Sequence, residues 1–166
     1  GCPQFIAAAT PAVFQSRLME TIIIAAVTDN GVIGRDGGMP WRYPADMGHF
    51  ERTTTGHSCV MGRRTYESFP RRPLRNRTNI VLTSNTNYDV SPGVVVMSNL
   101  AGALDFAATS SAAKLFVCGG ARVYEEALPH IDEMILTRIH AHVEGDTYFP
   151  EWDVDQFDVV DRHPLD

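Results

Sequence analysis

Residues 58–82 read SCVMGRRTYESFPRRPLRNRTNIVL, and they contain one complete unit of the fold. Ser58 to Met61 and Asn79 to Leu82 are short apolar runs, and Arg64 to Phe69 between them suits a helix. Strand, helix and strand in this order make a right-handed crossover between parallel strands that are covered on both faces. The pattern continues outward in both directions. Further apolar runs fall at Ile22 to Val27, Val94 to Met97, Leu115 to Cys118 and Met134 to Ile139. Helix-compatible segments fall at Pro44 to Thr54, Leu100 to Thr109 and Ala121 to Leu128. The class is therefore α/β, in three layers, with a mostly parallel central sheet and flanking helices. Pro44 suits a first helical turn, Asn99 can cap the helix after it, and Pro129 ends the one before it.

The same stretch also carries the local charge. The chain has 166 residues, with 14 Lys+Arg against 20 Asp+Glu and a net charge of −6. Thirteen of the basic residues are Arg, and Arg63, Arg64, Arg71, Arg72, Arg75 and Arg77 lie within 15 positions, opposed only by Glu67. From Glu144 onward the balance reverses, with eight acids against Arg162. Polynucleotide binding needs basic residues over a whole face, so a small polyanion at one spot fits better. The longest apolar run, Ile22 to Val27, is far below the roughly 20 residues of a membrane span. Residues 5–14 lack the basic start of a secretion signal. Cys2, Cys59 and Cys118 are an odd count without CxxC spacing, which suits free thiols in the cytoplasm.

Two strand-to-helix junctions are candidate anion sites. In Met61 to Thr65 a glycine and two arginines follow a strand, and in Cys118 to Tyr124 a glycine pair does. Each alone is as well explained by a tight turn or a solvated face. Two at one carboxyl edge of a sheet point to a pyrophosphate cofactor. After the strand Asn79 to Leu82 come Thr83, Ser84 and Asn85, with no acid to grip a ribose hydroxyl. Hydroxyls beside arginine suit a 2′-phosphate, hence NADPH over NADH. A long Gly-rich loop, Gly34 to Trp41, suits a functional lid. On a helix starting at Pro44, Asp46 and Phe50 are four apart and share a face with Met47, a setting for a perturbed carboxyl beside a flat heterocycle. His140 and His142 have no third ligand in recognisable spacing, so no metal is expected.

These residues fall into an ordered set. Ile24-Ala-Ala-Val, Gly31-Val-Ile-Gly, Met39-Pro-Trp, Pro44-Ala-Asp-Met-x-x-Phe, Val60-Met-Gly-Arg-x-Thr-Tyr-Glu-Ser, Pro73-Leu-x-x-Arg-x-Asn-Ile, Gly119-Gly-x-x-Val-Tyr and Glu144-Gly-Asp-Thr-x-Phe-Pro resemble dihydrofolate reductase in order and spacing, from about residue 21 to 160. The resemblance implies reduction of 7,8-dihydrofolate to tetrahydrofolate with NADPH, by hydride transfer to C6 and protonation at N5. It implies catalytic roles for Asp46, which bonds the pterin amidine edge, for Thr137 bonded to it, for Trp41 beside an ordered water, and for Met39 in the lid. Ala26, Val27, Met47, Phe50, Phe69 and Leu74 are implied around the substrate, with backbone oxygens of Val27 and Cys118 near the ring and Tyr124 by the nicotinamide. Arg77 is implied on the folate α-carboxylate. For NADPH the matching positions are Ala26, Ile33, Gly34, Gly62, Arg63, Arg64, Thr65, Thr83, Ser84, Cys118, Gly119, Gly120, Ala121, Arg122, Val123 and Tyr124, with a cis Gly119-Gly120 peptide. Antifolates are the implied inhibitors.

Two other readings stand beside this one, a related-fold pyrimidine reductase and a non-catalytic relic that binds NADPH or antifolates. The Pro44-Ala-Asp-Met-x-x-Phe helix argues against the first. The departures from the pattern motivate the second. Residues 1–18 have no family counterpart, so the expected layout is an extension over 1–18 and a reductase-like domain over 19–166. The family's last strand, antiparallel to residues 134–139, is expected to be missing after Phe157 to Val160. One hypothesis places residues 12–18 in that slot, and otherwise the bare edge is a liability. A monomer is expected, with a swapped dimer as another way to cover the edge. Glu51 stands where a basic residue often assists the folate tail, a task left to Arg42, Arg71 or Arg72.

Overall fold

The computed structural model describes residues 4–11, 19–35, 38, 44–85 and 87–164. Eight strands form one sheet in the order β10-β1-β8-β2-β7-β4-β5-β6. The parallel part consists of β2 (Glu20–Thr28), β4 (Ser58–Gly62), β5 (Thr78–Leu82), β6 (Val95–Met97), β7 (Lys114–Val117) and β8 (Glu133–Ile139). Helices α1 (Pro44–Thr54), α2 (Arg63–Ser68), α3 (Leu100–Thr109) and α4 (Ala121–Ala127) fall between these strands. The strand–helix–strand unit of residues 58–82 is thus β4, α2 and β5, with β4 and β5 paired from Ser58↔Thr78 to Gly62↔Leu82. Asn99 caps α3 by accepting from the Gly102 N–H at 2.8 Å. Pro129 lies in a 3-10 turn, Leu128–His130, that follows α4.

Alternation along the strands sends side chains to two cores. Ile23, Ala25, Val27, Leu136 and Met134 pack with Ala103, Ala107, Val123 and Ala127 of α3 and α4. Ile22, Ile24, Cys59, Met61 and Phe116 face the other way, with Tyr66 of α2, Leu74, Phe50 of α1 and Phe69. Phe116, Ile22 and Met61 are fully buried or nearly so, and each such side chain contributes roughly 1.5–3 kcal/mol. Asn79 ties the preceding loop to this core. Its Oδ1 accepts from the Leu74 N–H at 2.9 Å, and its Nδ2 donates to the Leu74 and Arg77 carbonyls at 3.0 Å each.

The antiparallel flank departs from the expected chain order. The strand beside β8 is β1 (Gln4–Pro11), paired from Gln4↔Ile139 to Ala9↔Met134. On its other edge β1 pairs antiparallel with β10 (Phe157–Pro164), which extends past the expected Val160. The slot expected to stand empty is therefore filled from the start of the chain. Residues 12–18, the segment considered for it, lie outside the described residues. A register shift between Ala8 and Ala9 leaves Val160 without a partner in β1, and Val159 and Val160 are both exposed.

A small second sheet joins β3 (Val32–Gly34) to β9 (Thr147–Tyr148). Gly145 lets the chain pass against β3, because a Cβ there would lie 2.4 Å from Val32 Cγ1 and 2.6 Å from the Gly34 oxygen. Among the described residues no helix is long and apolar enough to cross a membrane.

Candidate active site

The carboxyl ends of β2, β4, β5 and β7 open into one cavity of about 1130 Å³. Ligands of open α/β sheets bind at such an edge. At its inner end Asp46 projects from the first turn of α1. The Thr137 hydroxyl of β8 donates to its carboxylate. Burial raises the Asp46 pKa above the ordinary 3.8, and the Thr137 bond, which favours the charged form, opposes that rise. Met47 and Phe50 line the cavity beside Asp46, and Phe50 stacks on Phe69 with centroids 5.7 Å apart.

Tyr124 reaches back from α4 and donates to the Ile24 carbonyl at 2.8 Å. Burial pushes its pKa well up, with Cys118 and Asp46 adding to the shift, so the phenol stays protonated. Cys118 Sγ donates to the Phe116 oxygen at 3.6 Å, and burial also raises its thiol pKa well above the usual value.

The outer end is built of glycine backbone and arginine. Gly119-Gly120 is a cis peptide, as expected, and Gly119 has φ +117°, which other residues rarely adopt. A Cβ on Gly119 would lie 3.3 Å from the Tyr124 hydroxyl and 3.5 Å from Thr65 Oγ1. The Gly62 N–H donates to the Gly119 oxygen at 2.9 Å, which draws the ends of β4 and β7 together. Arg63, Arg64 and Arg122 line this end along with Thr83 and Ser84 from the end of β5. Backbone that approaches closely, several guanidinium groups and hydroxyls without an acid make a donor set for a phosphate-rich nucleotide.

Of the residues singled out for substrate, the cavity wall holds Ala26, Asp46, Met47, Phe50, Phe69, Cys118, Tyr124 and Thr137. It also holds all those singled out for the nucleotide: Ala26, Ile33, Gly34, Gly62, Arg63, Arg64, Thr65, Thr83, Ser84, Cys118, Gly119, Gly120, Ala121, Arg122, Val123 and Tyr124. Three residues lie elsewhere. The Val27 side chain points into the core beneath α3 and α4, one position out of phase with the wall. Ile24 and Ala26 are the β2 residues on the Asp46 side, and period-two counting from Ala26 would have identified Ile24. Leu74 is a core residue behind α2.

Arg77 stands outside the cavity wall with its guanidinium 5.9 Å from the Phe50 centroid. It donates to Thr54 Oγ1 at 3.1 Å and to the Arg75 carbonyl at 2.8 Å. Arg72 donates to the Glu67 and Phe69 carbonyls, and both it and Arg71 are exposed. Met39, Trp41 and Arg42 lie outside the described residues. His49, Ser98, Asn99 and Thr147 also line the cavity. Nothing in the sequence marked His49 or Ser98, while Asn99 was marked only as a helix cap and Thr147 only within the Glu144-Gly-Asp-Thr motif.

Comparison with known proteins agrees with this geometry. The dihydrofolate reductase family profile matches residues 20–166. A dihydrofolate reductase of Haloferax volcanii is 45% identical over 152 residues, covering 87% of this chain and 78% of the relative. The dihydrofolate reductase of Bacillus subtilis is 42% identical over 137 residues, covering 82% and 79%. Among solved structures, dihydrofolate reductase from Enterococcus faecalis, complexed with NADP(H) and RAB-propyl, superposes with a TM-score of 0.76. It shares 40% identity and covers 82% of this chain and 80% of that one. A cavity with a buried carboxylate at one end and a glycine–arginine cradle at the other, on a sheet of this order, thus coincides with a match over nearly the whole chain, which belongs to the dihydrofolate reductase family.

Proposed function

We propose that this chain reduces 7,8-dihydrofolate to 5,6,7,8-tetrahydrofolate with NADPH. The observation that carries the reading is one cavity with a half-buried carboxyl, Asp46, at its apolar end and a phosphate cradle at the other. Arg63, Arg64, Thr65, Thr83, Ser84, Arg122 and the backbone of Gly119 to Val123 would hold NADPH. Ile33 and Gly34 lie along the wall by β3. When bound, the cofactor supplies the hydride that adds to C6 of the pterin.

The chain's own residues prepare the substrate for that hydride. Asp46 accepts hydrogen bonds from the amidine edge of the pterin and favours a proton on N5, which makes C6 electrophilic. Thr137 orients the carboxylate by donating to it. Phe50, Phe69, Met47, Ala26 and Ile24 give a flat apolar slot that excludes water around the proton. Tyr124, neutral and held on the Ile24 carbonyl, sets the wall near the hydride path. Arg77, held in place by Thr54 and Phe50, would meet the α-carboxylate of the folate tail as a bidentate partner. By resemblance, Trp41 is assigned an ordered water beside Asp46, and Met39 the lid. Inhibitors that present a protonated amidine to Asp46 suit the same slot. The buried free thiols Cys59 and Cys118 suit the reducing cytoplasm.

The test is a spectrophotometric assay. Adding dihydrofolate to protein and NADPH is expected to remove NADPH absorbance, with a rate that falls as pH rises through the raised pKa of Asp46. No loss of absorbance at any pH would reject the reading in favour of a binding protein.

A further inference from the structure

Thr137 is only 2% exposed, and its surroundings come from three separate segments of the chain. Its register partner in β2 is Ala26, and its partner in β1 is Ile6. Directly paired residues project to the same face, so Ile6, Thr137 and Ala26 stand abreast on the side where Asp46 receives the Thr137 hydroxyl. Ile6 is itself 5% exposed. Of the described side chains of β1, Ile6 and Ala8 share that face, and Ala7 and Ala9 pair with Leu136 and Met134 toward the opposite core. Ile6 is therefore the large apolar side chain of β1 that shields the Thr137 flank.

We propose that β1 is a positioning strand for the reaction, with Ile6 as the positioning residue that holds the Thr137 hydroxyl on Asp46. With β1 in place, the β8 backbone beside Thr137 is paired on both edges and water has no route to the hydroxyl from that side. Without it, water competes for the hydroxyl, and the carboxylate gains solvent and loses its orientation. Docking of Gln4–Pro11 is thus tied to the chemistry, although none of the described side chains of β1 lines the cavity. The titratable groups around Asp46 are Tyr124 from α4, Cys118 after β7 and His49 on α1, with Arg77 against Phe50. His163 of β10 is the other register partner of Ile6.

The inference rests on the reading of Asp46 as the carboxylate that handles the proton, and its test separates the two. In the full chain, Ile6→Ala is expected to lower kcat at neutral pH about tenfold with NADPH affinity unchanged. The titration of the Asp46 carboxyl carbon, followed by NMR without substrate, moves to lower pH, because relief of burial, the larger influence on this carboxyl, outweighs the weakened Thr137 bond. Ile6→Val gives a smaller shift of the same sign, and it decides the matter if the alanine variant does not fold. Ala7→Gly, on the opposite face of the same strand, lowers thermal stability and leaves the titration in place. Parental turnover and titration in Ile6→Ala, no shift in Ile6→Val where alanine unfolds the chain, or an equal shift in Ala7→Gly would overturn the proposal. A parent protein that does not oxidise NADPH with dihydrofolate would reject the assigned reaction, while the titration would still decide the role of Ile6.

Discussion

The two ends of the cleft hold charge in opposite ways. At the inner end Asp46 sits among Met47, Phe50 and the faces of β2 and β8, and burial shifts it toward the protonated form. At the outer end the Arg63 and Arg122 side chains are 47% and 93% exposed, and each pairs loosely with a glutamate one helical turn away, at 3.8 and 3.9 Å. Exposed pairs of this kind contribute about 0–1 kcal/mol, so the arginines add little to stability and exchange water readily for an anion. A group that handles a proton needs the low dielectric that perturbs it. Groups that bind phosphate need to remain charged and accessible.

This contrast predicts separable losses. The largest is expected for Asp46→Asn, with turnover at neutral pH lower by about 100-fold or more. Its NADPH affinity, measured by fluorescence titration, should match the parent's, and a parallel loss of affinity would erase the distinction between the ends. Arg64→Ala should do the reverse, weakening NADPH about tenfold while leaving NADH binding nearly unchanged. Equal weakening of both would remove Arg64 from the 2′-phosphate.

Two smaller effects sharpen the inner end. Thr137→Val removes the bond that favours the carboxylate, so the alkaline limb of the pH–rate profile should move to higher pH. The last effect is on stability. The folded-state pKa of Asp46 is raised, so its contribution is complete below the unfolded value of about 3.8 and is lost as pH rises through the folded value. Asp46→Asn should therefore unfold at a higher temperature than the parent at neutral pH, with the gain vanishing toward pH 3.8. An unchanged difference across that range, by calorimetry, would show that Asp46 is not perturbed.

Much of the cleft was legible because its parts are local. A glycine pair after a strand, two arginines after another, and Asp46 four residues before Phe50 each record their geometry within a few positions. Val27 shows the limit of that reading. It adjoins Ala26 in the chain, yet alternation turns it to the core under α3 and α4, and Ile24 takes the place on the wall. Arg77 was legible as a cation but not in its setting, since the contact with Thr54 spans 23 positions. His49 and Ser98 carry no signature, because a cavity wall is defined by what surrounds it.

The sequence by itself determined the alternation of strand and helix, the parallel core of the sheet and the clustering of the arginines, since hydrophobic period and turn chemistry are properties of neighbouring residues. Only the tertiary structure decided which segment lies beside β8. Gln4–Pro11, alanine-rich and without strong strand signals, takes that slot because two open edges, on β8 and β10, supply backbone partners on both sides at once. Pairing of that kind is satisfied by position in space, and no local pattern records it.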